Sequence, residues 1–195
     1  MTGPDGAVLN WTDGHRTRWA SWVAHHLFLV TTNLLVIAIV GVVALVYIIV
    51  RRRWLLAVTV GTSAVAAFVL STVLKSLIGR ARPPDGSALV QAGGFSMPST
   101  DGALTAAAGL AMVLTAAYGT QVARRIFGLV IAIVVIFVGI CLIYLGVHWL
   151  TDVLAGWLLG ALIAIAADLA ARRLLNQPRS GRSYPDTMPT IGESK

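Results

Sequence analysis

The stretch IFGLVIAIVVIFVGICLIYLGV, residues 126–147, carries no charge and runs directly into His148-Trp149-Leu150-Thr151-Asp152. A hydrocarbon core about 30 Å thick requires roughly 20 apolar residues per helical crossing, so this stretch predicts a transmembrane helix. Working outward, comparable stretches at about 27–50, 54–74, 103–120 and 153–171 predict four more. The 103–120 stretch is rich in Ala and Gly, which suit close helix packing, and it predicts an interior helix. Composition agrees: 57% hydrophobic residues, 12% charged residues and a mean hydropathy of +0.80 exclude an ordinary soluble domain. The predicted fold is all-α, a polytopic transmembrane helical bundle of about five spans.

Charge orients the bundle. Ten of the fifteen Lys and Arg residues fall at or beyond one set of span ends: Arg51 to Arg53, Arg124, Arg125, Arg172, Arg173, Arg179, Arg182 and Lys195. The other five, Arg16, Arg18, Lys75, Arg80 and Arg82, fall at the opposite set. The bias places the arginine-rich ends and the C-terminus in the cytoplasm, with the loop at 75–102 and the junction at His148 on the extracytoplasmic face. The net charge of +7 is thus a topology signal, and the spans exclude a soluble nucleic-acid binder. The expected location is the cell membrane of a bacterium.

The remaining segments divide the chain. Residues 1–26 are expected to be a tail leading into an interfacial amphipathic helix from Thr17 to Phe28, residues 27–173 the membrane domain, and 174–195 a disordered tail. The first 20 residues contain Asp5, Asp13, Arg16 and Arg18 and no apolar core, so no cleavable signal peptide is expected. His25 and His26 point about 100° apart on a helix and have no evident third metal ligand. Cys141, the single cysteine, lies inside a span and reads as a buried, inert thiol.

Polar chemistry concentrates at three helix ends. Lys75 precedes Arg82-Pro83 by seven residues, about two helical turns, so the two cations fall near one face and can hold one anion. Anchoring at the membrane interface is the bland alternative for both. Pro98-Ser99-Thr100-Asp101 opens the third span, where Ser99 serves as an N-cap and the free N–H groups of the helix start can also face an anion. His148 and Asp152 are four residues apart on one helix face, a pairing that lets a carboxylate orient an imidazole.

Taken together, Lys-x6-Arg-Pro, then Pro-Ser-x-x at a helix start, then Tyr144-Leu-Gly-Val-His148-Trp-Leu-Thr-Asp152 resembles the type 2 phosphatidic acid phosphatase (PAP2) superfamily over roughly residues 54–171. The resemblance implies that Lys75 and Arg82 bind a substrate phosphate and that Ser99 donates to it. It implies that His148 attacks phosphorus to form a phosphohistidine and that Asp152 orients the ring. It also implies that neither a metal nor another cofactor is required. The partner it implies is a phosphorylated lipid within the membrane; an oligomeric state is not implied.

Two positions depart from the family pattern. Pro-Ser-Gly-His becomes Pro-Ser-Thr100-Asp101, which removes the general-acid His. The Ser-Arg that opens the third motif becomes Cys141-Leu142, which removes one phosphate cation. A general acid is worth about 10²–10⁴-fold, so the reaction needs a substitute. A carboxyl beside a bound phosphate at a low-dielectric interface holds its proton more readily, which makes Asp101 the candidate acid. Arg80 is the candidate substitute for the lost cation, and Thr100 is a further candidate phosphate-binding residue. Two functions follow: a lipid-phosphate, or isoprenyl phosphate or diphosphate, phosphatase; or a catalytically degraded relative that binds a lipid head group or membrane partner without turnover.

Overall fold

The computed structural model describes residues 3–116 and 120–175. Among these residues seven α-helices follow one another: α1 (Pro4–Gly14), α2 (Arg18–Thr32), α3 (Leu34–Arg51), α4 (Trp54–Ile78), α5 (Thr100–Thr115), α6 (Gln121–Tyr144) and α7 (Leu150–Leu175). No strand occurs among the described residues. The all-α, polytopic membrane architecture expected from hydropathy is present.

Among the described residues, α4, α6 and α7 are long and apolar enough to cross a bilayer, and Gly41–Arg51 of α3 and α5 are further apolar helices. The expected first span at 27–50 is divided at Asn33, whose extended backbone separates α2 from α3 and whose Oδ1 accepts from the Leu35 amide at 2.9 Å. An Asn side chain that bonds its own downstream backbone competes with helix continuation. Of the expected C-terminal tail, residues 174 and 175 belong to α7, and 176–195 lie outside the described residues.

Residues 4–14 form a helix where a tail was expected. Pro4 at its first position and Asp5 in its first turn are helix-start residues, and Gly6, Leu9 and Thr12 are buried where α1 packs on α6 and α7. Helix α2 is capped by Thr17, whose Oγ1 accepts from the Ala20 amide, and leaves Trp19 and Trp22 exposed. Exposed Trp beside apolar spans is the pattern of a membrane-interface belt.

Helix α5 lies between α4, α6 and α7. Its Ala103, Ala107 and Ala111 are buried, and Gly156 and Gly160 of α7 meet its backbone directly. Small residues spaced by four let two helix backbones approach closely. At the far end, Arg172 on α7 pairs with Asp168 at 2.8 Å and donates to the Leu114 carbonyl on α5 at 2.9 Å. Outside this seam, residues such as Val65, Leu129 and Leu158 are exposed, the surface a bilayer covers.

Two loops clasp each other at the opposite end. Gly146, with φ of 71°, brings its backbone against the Ser87 carbonyl, where no Cβ would fit. The Leu89 amide donates to Leu145 O at 2.9 Å, and Trp149 Nε1 donates to Ala81 O at 2.9 Å. The α4–α5 loop is thereby locked onto the α6–α7 junction.

Candidate active site

The site is assembled from helix ends. Helix α4 stops at Gly79, whose left-handed conformation (φ 65°) turns the chain just after Lys75 in the last turn. Arg82 then reaches back across the loop. Its Nε donates to Gly93 O and Gly94 O at 3.1 and 3.2 Å, and its Nη1 donates to Val147 O at 2.6 Å. The same Nη1 lies 3.4 Å from His148 Nε2. Arg82 Nη2 has no hydrogen bond among the described residues. A cavity of about 610 Å³ borders Arg82 and Val147 and is lined in addition by Asp85 and Gln91.

His148 is 3% exposed and its two ring nitrogens face different groups. Nδ1 lies 3.5 Å from Asp152 Oδ2, within ion-pair range but long for a hydrogen bond. Nε2 faces Arg82. Burial is the main cause holding His148 below the ordinary imidazole value of 6.5, with Arg82 and Lys75 acting the same way and Asp152 opposing them. The ring is therefore neutral at neutral pH.

Asp152 is fully buried in the first turn of α7 and has both oxygens engaged. Oδ2 accepts from the Trp149 amide at 2.9 Å, and Oδ1 accepts from Arg80 Nη1 at 2.6 Å. Its backbone carbonyl accepts from the Ser99 amide at 3.0 Å, which fixes the start of α5 against the start of α7. Ser99 is itself fully buried, and its Oγ accepts from Gly102 N at 3.2 Å as the N-cap of α5. The hydroxyl proton of Ser99 remains to be donated.

The other sequence candidates divide. Lys75 makes no hydrogen bond or ion pair among the described residues, yet it lies close enough to Arg82, Asp101 and Asp152 to interact with each electrostatically. Asp101 is half-buried on the first turn of α5 and lies close enough to Lys75 and Arg82 to act on both electrostatically. Thr100 turns its hydroxyl toward α4, where Ser71 Oγ donates to it at 3.3 Å. Arg80, the expected substitute cation, points instead to Asp152, Thr151 and Asp5. Leu142 is 4% exposed and packs in the apolar core with Val138, Leu145 and Val153, so an aliphatic side chain fills the place of the missing cation.

Sequence reasoning missed Asp5 and Thr151. Asp5 sat in a segment read as a tail; Pro4-Asp5 at a helix start was the available signal. No cluster of three or more His, Cys, Asp or Glu occurs among the described residues.

Apolar helices that carry a lysine, two arginines and a buried His–Asp pair at one end define a helical integral membrane protein with a cluster of cations around a buried histidine. The chain belongs to the PAP2 superfamily, whose family model matches residues 54–174. Its fold is similar to the crystal structure of the first transmembrane PAP2 type phosphatidylglycerolphosphate phosphatase, from Bacillus subtilis. The TM-score is 0.71 at 24% identity, covering 91% of this chain and 87% of that one. No curated protein matches the chain.

Proposed function

We propose that the chain is a lipid-phosphate phosphatase that works through a phosphohistidine on the extracytoplasmic face. The observation that carries this reading is the orientation of His148, with Nδ1 toward Asp152 and Nε2 toward Arg82. An anion held by Lys75, Arg82 Nη2 and the Ser99 hydroxyl would present phosphorus to a neutral Nε2. Attack forms the N–P bond and breaks the P–O bond to the lipid, whose oxygen takes a proton from the Asp101 carboxyl and leaves as the lipid alcohol. Water then attacks the phosphohistidine, Asp101 accepts its proton, and the N–P electron pair returns to the ring. The substrate class is a lipid bearing a phosphate, including isoprenyl phosphates and diphosphates. Family membership and the likeness to a membrane phosphatase support it.

The second reading, head-group binding without turnover, is favoured by one observation: apolar packing of Leu142 where the family carries an arginine. A lost charge contact to a transferring phosphoryl group costs a few kcal/mol, enough to slow turnover greatly. Release of phosphate from a panel of lipid phosphates in detergent separates the two. We expect release by the parent, a loss of about 10²-fold or more in Asp101→Asn, and retained or increased activity in Asp101→His. No release above the His148→Ala background from any substrate rejects the enzyme and leaves the binder.

Acid should inhibit by a defined route. Only the neutral ring offers a lone pair at Nε2, and its protonation is pushed below 6.5, so the acidic limb of kcat/KM is expected below that pH. A limb well above it would contradict the neutral-histidine mechanism. Asp152→Asn removes the group that opposes the shift, and should move the limb lower still.

A further inference from the structure

We propose that Asp5, acting through Arg80 and Thr151, positions the His148–Asp152 pair, which makes helix α1 a strap that completes the site from outside the spans. This rests on the reading of His148 and Asp152 as a reacting pair. It concerns a segment outside the matched residues 54–174.

One carboxylate here meets three donors that lie far from it in the chain. Asp5 Oδ1 accepts from the Thr151 amide at 2.9 Å, and Oδ2 accepts from Thr151 Oγ1 at 2.7 Å and from Arg80 Nη2 at 2.5 Å. The first of these caps α7 in trans, since Thr151 is in the first turn of α7 and its N–H has no partner within the helix. Arg80 completes the circuit: its Nη1 donates to Asp152 Oδ1 and to Thr151 Oγ1, both at 2.6 Å, and its guanidinium lies 5.5 Å from the Trp149 ring centre. Although burial alone would raise it, bonds from Thr151 and Arg80 hold Asp5 below the ordinary carboxylate value.

The charges explain why the arrangement matters. Arg80 stands between two carboxylates, so Asp152 shares its counterion with Asp5. Remove Asp5 and Arg80 neutralises Asp152 alone, which weakens the support Asp152 gives to a His148 ring that turns positive on attack. The Thr151 amide and hydroxyl lose their acceptor in the same step, and the first turn of α7 loosens. A second, separate anchor holds the other end of α1: Ser87 Oγ donates to Asp13 Oδ2 at 2.8 Å, and Arg16 donates to the Ser87 and Tyr144 carbonyls. That anchor touches neither Arg80 nor Asp152, and it supplies the control.

The test compares the full chain in detergent with Asp5→Ala, Asp5→Asn and Asp13→Asn, by steady-state phosphate release and by amide hydrogen exchange across residues 147–153. Both Asp5 variants should lower kcat about tenfold or more with KM within about twofold, because the pair is misplaced and binding groups are untouched. Asp5→Ala should also speed exchange at Thr151 and at Trp149, whose amide Asp152 holds. Asp13→Asn should change neither kcat nor Trp149 exchange. The proposal is overturned by unchanged Trp149 exchange in Asp5→Ala, or by Asp13→Asn matching the Asp5 variants, which would make Asp5 a docking residue only. If the parent releases no phosphate, the phosphatase reading falls by itself and the exchange result still decides the positioning role.

Discussion

Phosphate release by His148→Ala is expected at the uncatalysed background, a loss on the order of 10⁴–10⁶-fold. No other nucleophile among the described residues is placed to replace it. Cys141 is buried in the apolar core with Leu142, and Ser99 Oγ accepts from Gly102 N as the cap of α5 and has only its proton left to offer a phosphate. The substitution also leaves Arg82, Lys75 and the cap of α5 in place, so inorganic phosphate should still bind and the melting temperature should move little. Rapid quench of the parent with a labelled substrate should trap an acid-labile phosphoprotein that the variant lacks. Residual turnover within about tenfold of the parent would remove His148 from the mechanism.

The second large effect is structural. A Cβ added at Gly156 would lie 2.5 Å from Ser99 O and 3.1 Å from Ala103 N, and one at Gly160 would run into Ala103 O. These neighbours are backbone, so no side-chain rotation relieves the clash. Overpacking typically costs about 1–3 kcal/mol, which exceeds the roughly 1 kcal/mol that removing a helical glycine returns. Gly156→Ala should therefore lower the melting temperature and pull Ser99 away from Asp152. Gly156→Leu has no room at all and should abolish both the folded bundle and phosphate release. Gly61→Leu, at an exposed position with nothing within 4 Å, is the control and should behave like the parent. A Gly156→Leu protein with the parent's melting temperature and rate would mean that α5 and α7 are not in backbone contact.

The parts of this fold visible in sequence are those set by local chemistry. Long apolar runs announce α4, α6 and α7, and the Ala and Gly content of 103–120 announces an interior helix. The parts that were hidden depend on distant partners. Whether α1 is a tail or a helix turns on Asp5 finding Thr151 and Arg80, and no periodicity within eleven mostly polar or small residues reveals that. Arg80 was readable as a cation near a phosphate motif, but its direction depends on the same carboxylate. Asn33 lay inside an apolar stretch, where its bond to the Leu35 amide was outweighed in any hydropathy average. Leu142 was legible as a lost charge; the apolar packing that replaces it was not.

Lys75, Arg82, Ser99, His148 and Asp152 gather at one end of α4, α5 and α7, while Arg172 closes the other end over Asp168 and Leu114. A head group in the far leaflet is separated from His148 by the whole of α7, 26 residues at about 1.5 Å each, or about 39 Å. For a lipid-phosphate substrate, turnover is then vectorial. On the phosphatase reading proposed above, each cycle removes negative charge from the lipids of the site's own leaflet and leaves those of the other leaflet untouched.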